Sequence, residues 1–203
     1  AGSKVVSPSS TLMQEGNLTA TQVASVLGLD GVDILNFNPY ASGVDAATAL
    51  KVEKTAQQLM NTVKSIAAAG EGAGATVSTS FASALESVVD VIKTKASSPG
   101  SLIDFTNTTD LNAIKTAAST KFTGKVTNKT AFDTVMTSVV TSVKNVNDTI
   151  KSVTDLTSDA TKNTFANTVT LTNQVKTAAE AEVSSPGSSN IQFTDTSFTN
   201  AAT

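Results

Sequence analysis

Apolar residues recur three or four positions apart from about Lys129 to Leu156, the most regular pattern in the chain. The apolar positions of this stretch are Phe132, Met136, Val139, Val143, Val146, Ile150 and Val153. A stripe with this spacing lies along one side of an α-helix and packs against other helices. Because packing of an apolar stripe stabilises a helix more than the propensities of Val and Thr disfavour it, the pattern predicts one long helix.

Three further stretches carry related patterns and predict three more long helices. The first runs from about Asp45 to Ala69, with its seam at Ala49, Val52, Ala56, Leu59, Val63 and Ile66. The second runs from about Thr76 to Ala96, with its seam at Val77, Phe81, Leu85, Val88 and Ile92. The third runs from about Ser158 to Val183 and is less regular, with Phe165, Val169, Leu171, Val175 and Ala179.

Shorter helices are predicted from their start and stop signals. Ser7 and Pro8 are typical of a helix start, and Gly16 is expected to end that helix. Thr19 and Gln22 form the sequence pattern of a capping box, and the helix that follows is expected to end at Gly28. Residues 29–40 are predicted to be a connector, and a short helix is predicted over about 109–120, with Leu111, Ile114 and Ala118 on its apolar side.

The predicted fold class is therefore all-α: a helical bundle of three to four long helices with two short N-terminal helices. Heptad seams can also mark a coiled coil with a partner chain, but the short breakers between the helices favour an intramolecular bundle. We assign residues 4–183 to this bundle domain. Residues 184–203 are rich in Ser and Thr and are predicted to be a tail or a linker.

The chain contains no Cys, His, Trp or Arg, so all 14 of its basic residues are Lys. His is the usual general base and metal ligand, Cys the strongest side-chain nucleophile, and Arg the bidentate ligand for carboxylate and phosphate. A chain without them is expected to present a surface rather than to catalyse a reaction. With a net charge of −3 and no Arg, nucleic-acid binding is not expected either.

The low fraction of charged residues is evidence about the location of the protein. Only 15% of the residues are charged, whereas about 25% is typical of soluble domains, and Thr, Ser and Asn supply the polarity instead. This composition favours an extracellular or bacterial cell-surface location, while the absence of Cys would also fit a reducing cytoplasm. No apolar run approaches the length of about 18 residues that a transmembrane helix needs.

Two pairs of aspartates are candidates for calcium. Asp30 and Asp33 lie in a turn, and Asp104 and Asp110 lie before and within the predicted short helix. Calcium binds carboxylates and backbone carbonyls, but neither pair has the ligand count of a high-affinity loop. The competing interpretation is that these carboxylates cap backbone N–H groups, as turn aspartates usually do.

The glycine-rich run from Gly70 to Thr76 precedes a helix start, where anions can bind. It lacks the Lys of a phosphate-binding loop and follows a helix rather than a strand, so a flexible hinge between helices is the favoured prediction. No paired acid and base stand out among the glutamates, and Ser–Lys catalysis has no recognisable motif. We therefore predict no catalytic, cofactor-binding or metal-binding residues. Four glycosylation sequons, at Asn17, Asn107, Asn128 and Asn147, are attributed to the abundance of Thr.

Two segments of the chain have similar sequences. Residues 97–101, Ser-Ser-Pro-Gly-Ser, precede Ile103-Asp104-Phe105-Thr106-Asn107-Thr108, and residues 185–188, Ser-Pro-Gly-Ser, precede Ile191-Gln192-Phe193-Thr194-Asp195-Thr196. Each copy follows a predicted helix. This similarity indicates either a duplicated helical hairpin or the independent use of Ser-Pro-Gly as a helix terminator.

The N-terminal third carries a resemblance. The segments are Val5-Val6-Ser7-Pro8-Ser9-Ser10-Thr11-Leu12, then 18–29, Leu-Thr-Ala-Thr-Gln-Val-Ala-Ser-Val-Leu-Gly-Leu, and then 32–40, Val-Asp-Ile-Leu-Asn-Phe-Asn-Pro-Tyr. They resemble a helical module of very large secreted bacterial surface proteins of the adhesin-like, cadherin-repeat and RTX types. Ser10 stands where that pattern often has Thr, and Tyr40 where it often has Ile or Leu.

The resemblance implies a module of a long extracellular chain and transfers no catalytic residue. The expected function is a non-catalytic structural or adhesive module of a secreted bacterial cell-surface protein. The alternative is a ligand-binding domain, for a glycan or calcium, of an extracellular protein. The expected partners are neighbouring domains of a longer chain and a cell-surface or extracellular polymer.

Overall fold

The computed structural model describes residues 8–191, and it is all-helical over that range, with no strand. The helices are α1 (Pro8–Gly16), α2 (Ala20–Val26), α3 (Ala46–Gly72), α4 (Val77–Ala96), α5 (Thr108–Lys121), α6 (Lys129–Ser152) and α7 (Asp159–Ser184). The all-α prediction is therefore confirmed. No helix within residues 8–191 is both long and apolar enough to cross a membrane.

Polar side chains define where most of the helices begin. The capping box at Thr19 and Gln22 is present, with the Thr19 hydroxyl accepting from the Gln22 N–H and the Gln22 amide oxygen accepting from the Thr19 N–H. The caps of the later helices each accept a hydrogen bond from a first-turn N–H: Asp45, Thr76, Asn107, Asn128 and Ser158. These bonds satisfy amides that have no partner within the helix.

Helix α3 is central, because α4, α6 and α7 all pack against it. It runs antiparallel to α6: Lys54 near its start donates to the Val153 carbonyl, and the Ala73 carbonyl after its end accepts from the Asn128 N–H. Helix α5 packs against α4 and α6, and the short helices α1 and α2 pack against α4. The main core lies between α3 and the helices around it.

The seam predicted for α6 is confirmed, since all seven of its residues, Phe132 to Val153, are buried. The helix itself ends at Ser152 rather than near Leu156. Val153 leaves the helical conformation, and its carbonyl accepts from the Lys54 ammonium at 2.7 Å. The Asp155 carboxylate then accepts from the Thr157 N–H. Residues 153–158 connect α6 to α7 and do not continue the helix.

Two other predicted seams are wrong in part. On α4, Val77 is 67% exposed and Phe81 39% exposed, because they border an open groove between α4 and α7. On α7, Val169 is 56% exposed, and Thr168 and Ala178 are buried instead. Periodicity identifies an apolar stripe, but it does not show whether a neighbouring helix extends far enough to cover it.

The predicted hinge at Gly70–Thr76 is also wrong at its start, because α3 continues through Gly72. Both helical glycines are buried at contacts that leave no room for a side chain. A Cβ on Gly70 would lie 2.1 Å from the Phe122 ring, and one on Gly72 would lie 2.4 Å from the Lys176 carbonyl oxygen. These glycines allow close approach of Phe122 and of α7 to α3 rather than flexibility.

Gly72→Ala is expected to destabilise the protein by about 1–3 kcal/mol, because the new methyl group forces α7 away from α3. In an ordinary helical position the same change would stabilise by about 0.5–1 kcal/mol, so its sign tests the contact. Urea unfolding provides the measurement. Gly31→Ala is the control, since Gly31 has a φ of +81° but nothing within 4 Å of its Cβ position, and it reports backbone strain alone.

Candidate functional site

A cluster of buried polar side chains joins α3, α6 and the segment before α5. Asn147 is fully buried and donates from Nδ2 to the Phe105 carbonyl at 2.8 Å and to the Thr62 hydroxyl at 3.2 Å. Its Oδ1 accepts from Asn61 at 2.9 Å, and its backbone carbonyl accepts from Gln58 at 2.8 Å. We call these five residues the amide cluster. Because it is closed from solvent, it holds the helices in register and cannot meet a ligand.

The aspartate pair 104 and 110 is engaged internally. Asp110, 7% exposed, pairs with the Lys95 ammonium at 2.7 Å and accepts from the Asp104 N–H at 2.8 Å. Asp104 accepts from the Thr106 N–H and hydroxyl and from the Lys151 ammonium. A calcium ion would have to displace two lysines. These two aspartates therefore bind backbone N–H groups and lysines of their own chain, as the capping interpretation predicted.

Burial would raise the pKa of Asp104, but hydrogen bonds from Thr106 and Lys151 outweigh it and hold the pKa below its usual value. The carboxylate is therefore charged at neutral pH and stabilised by its partners. Together with the Lys95–Asp110 pair, these contacts anchor the segment between α4 and α5. Within this segment, the Ile103 N–H also donates to the Val26 carbonyl of α2 at 2.9 Å.

The other aspartate pair lies in the connector after α2. Asp33 accepts from the Asn36 side chain at 2.8 Å and from the Leu35 N–H at 3.2 Å, and these bonds, led by that from Asn36, lower its pKa. Asp30 is exposed in the same turn. Within residues 8–191 no three acidic side chains come together in a group that could hold a metal ion.

Two lysines lie beside serines, which is the geometry that Ser–Lys catalysis would need. The Lys125 ammonium is 3.0 Å from the Ser83 hydroxyl, and the Lys129 ammonium is 2.7 Å from the Ser119 hydroxyl. Each lysine also faces a carboxylate, Glu86 at 3.9 Å for Lys125 and Asp133 for Lys129. Both ammonium groups are thus already beside a carboxylate, and the Ser83 side chain is fully buried and out of reach of a substrate.

Two of the four sequon asparagines cap helices, and a third is inaccessible. Asn107 caps α5 and Asn128 caps α6. Asn147 is fully buried within the amide cluster and cannot carry a glycan in the folded chain.

A surface groove lies over α3, between α4 and α7, with a volume of about 560 Å³. We call it the α4–α7 groove. It is open to solvent and mostly apolar, and its lining residues are Lys64, Ala67, Glu71, Thr76, Val77, Ser78, Phe81 and Thr172. Sequence reasoning missed it because Val77 and Phe81 have the spacing of core residues.

The end of α7 is tied to the turn that follows it. Glu182 is 5% exposed, and its carboxylate accepts from the Gly187 N–H at 3.0 Å and from the Ser189 N–H at 3.1 Å. These bonds, led by that from Gly187, lower the pKa of Glu182. Ile191 is partly buried against the core. The described part of the predicted tail is thus folded back onto α7.

Glu182→Gln is expected to destabilise the protein at pH 7 and to have a progressively smaller effect as the pH falls below 4.5. Because the folded-state pKa of Glu182 lies below its ordinary value of 4.5, its stabilisation is present above that pH and is lost as the pH falls through the folded-state pKa. Urea unfolding at several pH values measures the difference between the two proteins. Glu180→Gln, on the exposed side of the same turn, is the control; a difference independent of pH would contradict the assigned role.

Comparison of the chain with protein-family models, curated proteins and solved structures finds no significant match. A function for this protein therefore has to be argued from its own contacts and composition.

Proposed function

We propose that the chain is a non-catalytic structural or adhesive module of a secreted bacterial cell-surface protein. The observation that supports this most is how its charged groups are used. Asp104, Asp110 and Glu182 all bind groups of their own chain, and so do Lys95 and Lys151. Side chains committed to internal pairs stabilise a shape, whereas a catalytic site leaves reactive groups facing a cleft.

In this proposal residues 4–183 act as one rigid bundle. Four long helices, α3, α4, α6 and α7, form its body, and the two short N-terminal helices pack on α4. The amide cluster crosslinks helices that are about 90 residues apart in the chain, with Gln58 bonded to the backbone of a residue 89 positions away. Such contacts suit a spacer that must keep its shape between neighbouring domains.

Composition supports the extracellular part of the proposal. Thr, Ser and Asn replace most of the charged residues that usually cover a helical domain, and the chain has no Cys. Antibodies raised against residues 8–191 should label intact cells of the source bacterium. Labelling that appears only after the cells are permeabilised would contradict a surface location.

Titration calorimetry with zinc and with calcium tests the passive character of the module. Zinc should not bind at micromolar concentrations, because the chain offers neither imidazole nor thiolate. Calcium should bind weakly at most, since Asp104 and Asp110 are already paired with lysines. A rise of many degrees in melting temperature with calcium would contradict the proposal and favour a calcium-rigidified domain.

The alternative function is a ligand-binding domain, and the α4–α7 groove favours a glycan as its ligand. Phe81 presents part of an aromatic ring at the groove, beside polar side chains such as Thr76 and Ser78. A pocket with an apolar surface and a few polar groups is the usual form of a small-ligand site. Glycan-array binding that is lost in Phe81→Ala and retained in Val169→Ala, an exposed apolar residue outside the groove lining, would establish this alternative.

A further inference from the structure

A pocket lined by lysines lies where the first half of α3 meets the end of α6. Lys51 and Lys54 of α3 and Lys151 of α6 line it, and no Asp or Glu of residues 8–191 does. Its volume is about 320 Å³. We call it the lysine pocket. A concave site that gathers positive side chains and no negative one attracts anions.

The lysines of this pocket differ from most others in the described chain, which pair with a carboxylate. Lys51 and Lys54 form no ion pair with any carboxylate among residues 8–191. Lys151 does form one, with Asp104 at 3.0 Å. The pocket therefore keeps an excess of positive charge that the rest of the described fold does not neutralise.

Two of the ammonium groups are held in place by the fold. Lys54 donates to the Val153 carbonyl at 2.7 Å, and Lys151 donates to Asp104 and to the Thr106 hydroxyl, each at 3.0 Å. Burial, together with the positive charge of Lys151, lowers the pKa of Lys54. The two ammonium groups thus repel each other, and a bound anion would relieve that repulsion. Each still has an N–H to donate, because an ammonium carries three.

The remaining lining of the lysine pocket is neutral. Ala47 and Leu50 supply apolar surface, and Thr55 supplies a hydroxyl. That hydroxyl donates its hydrogen to a carbonyl within α3 at 2.9 Å, so its oxygen stays available as an acceptor. Gln58 is 9% exposed, and its side chain is bonded to the Asn147 carbonyl at 2.8 Å. The pocket is therefore built on the fixed amide cluster and needs little reordering to bind a ligand.

We infer that the lysine pocket binds an acidic sugar, with its carboxylate among the ammonium groups of Lys51, Lys54 and Lys151. The C–H side of the sugar ring lies against Leu50, and a ring hydroxyl donates to the Thr55 oxygen. The volume is at the lower end of the range of ligand pockets, about 300–1,000 Å³, and suits a single sugar residue. Lysine offers a point charge rather than the fork of Arg, so charge and the neutral lining select the ligand.

An acidic extracellular polysaccharide is the natural source of such a sugar, and this identification of the source rests on the proposed function. A nucleic acid suits the pocket less well. A strand presents a row of phosphates, whereas these three lysines meet at one point, and no aromatic side chain lines the pocket to stack on a base.

Titration with galacturonate, followed by heteronuclear NMR of the amide groups, tests the site. At about 10 mM a ligand with a Kd of about 1 mM is nine-tenths bound, and we expect shifts centred on residues 47–58 and on Lys151. Galactose, the same ring without the carboxylate, should shift these amides much less, and added salt should weaken the binding of galacturonate. An absence of shifts, or equal shifts with galactose or with acetate, would overturn the inference.

Lys51→Met is the variant that disturbs the fold least, because Lys51 is exposed and its ammonium makes no bond within residues 8–191. It should bind galacturonate about two- to fivefold more weakly, as expected for one exposed ion pair. Adding Lys54→Met should weaken binding further. Lys93→Met is the matched control, since Lys93 is an exposed lysine of α4 outside the pocket lining. Equal losses in Lys51→Met and Lys93→Met would show a response to net charge alone and would overturn the inference.

The outcomes for this site and for the proposed function can be told apart. Galacturonate binding in the pocket without antibody labelling of intact cells would contradict only the extracellular role. Surface labelling without galacturonate shifts would overturn only the inference. Single-stranded oligothymidylate that binds the same residues more tightly than galacturonate would overturn it as well, in favour of a nucleic-acid ligand.

Discussion

Val143→Asp is expected to destabilise the protein by about 4 kcal/mol, because it buries a carboxylate that has no partner. Val143 is 1% exposed and lies in the middle of the α6 seam. The small gap beside it is lined mainly by apolar side chains of α3, α5 and α6, which include Ile66, Ile114 and Met136. Urea unfolding followed by circular dichroism provides the measurement, and a chain that fails to fold at neutral pH is the extreme form of the same result.

The control for this change is Thr141→Asp, which is on the same helix and exposed. It introduces the same charge and a similar loss of helix propensity but stays in water, so it should change stability by under about 1 kcal/mol. Equal losses at the two positions would mean that α6 presents a different side to the core.

Asn147→Leu is expected to destabilise the protein by about 3 kcal/mol, although Leu has a similar size and is apolar. The change removes the acceptor for the Asn61 side chain and the donor to the Phe105 carbonyl, and both of those groups stay buried. A buried polar group left without a partner costs about 1–3 kcal/mol. Asn145→Leu, two residues away and partly exposed, is the control and should have a small effect.

The double variant Asn61→Leu with Asn147→Leu tests whether the two amides act as one unit. If they do, the loss in the double variant should be smaller than the sum of the single losses, because removing both partners leaves fewer unpaired groups. Strict additivity would contradict a direct Asn61–Asn147 bond. Chemical denaturation of the four proteins completes the cycle.

Most helix starts could be predicted from the sequence because their causes are local. Thr19 and its partner Gln22 are three residues apart, and Asp45 caps the helix that begins at the next residue. The seam of α6 was predicted correctly for a related reason: its helix has neighbours along its whole length. A regular stripe together with a local cap specifies a helix wherever the rest of the chain lies.

The exposure of some residues in the α4 and α7 seams could not be predicted in this way. Phe81 and Val169 have the spacing of core residues, and only the positions of the neighbouring helices leave them uncovered. The glycines of α3 are a second case, since Gly is a helix breaker by propensity. It is tolerated at Gly72 because α7, more than 100 residues later in the chain, approaches within 2.4 Å of the Cβ position.

The sequence by itself determined the all-helical class and the capping box at Thr19, because each follows from residues that are close together in the chain. Only the tertiary structure decided which polar groups are buried together. Asn61 and Asn147 are 86 positions apart, and no periodic pattern pairs them. Asp104 and Asp110, which were considered for calcium, instead pair with lysines for the same reason: Lys151 reaches Asp104 across 47 positions of chain, a contact that only the folded helices create.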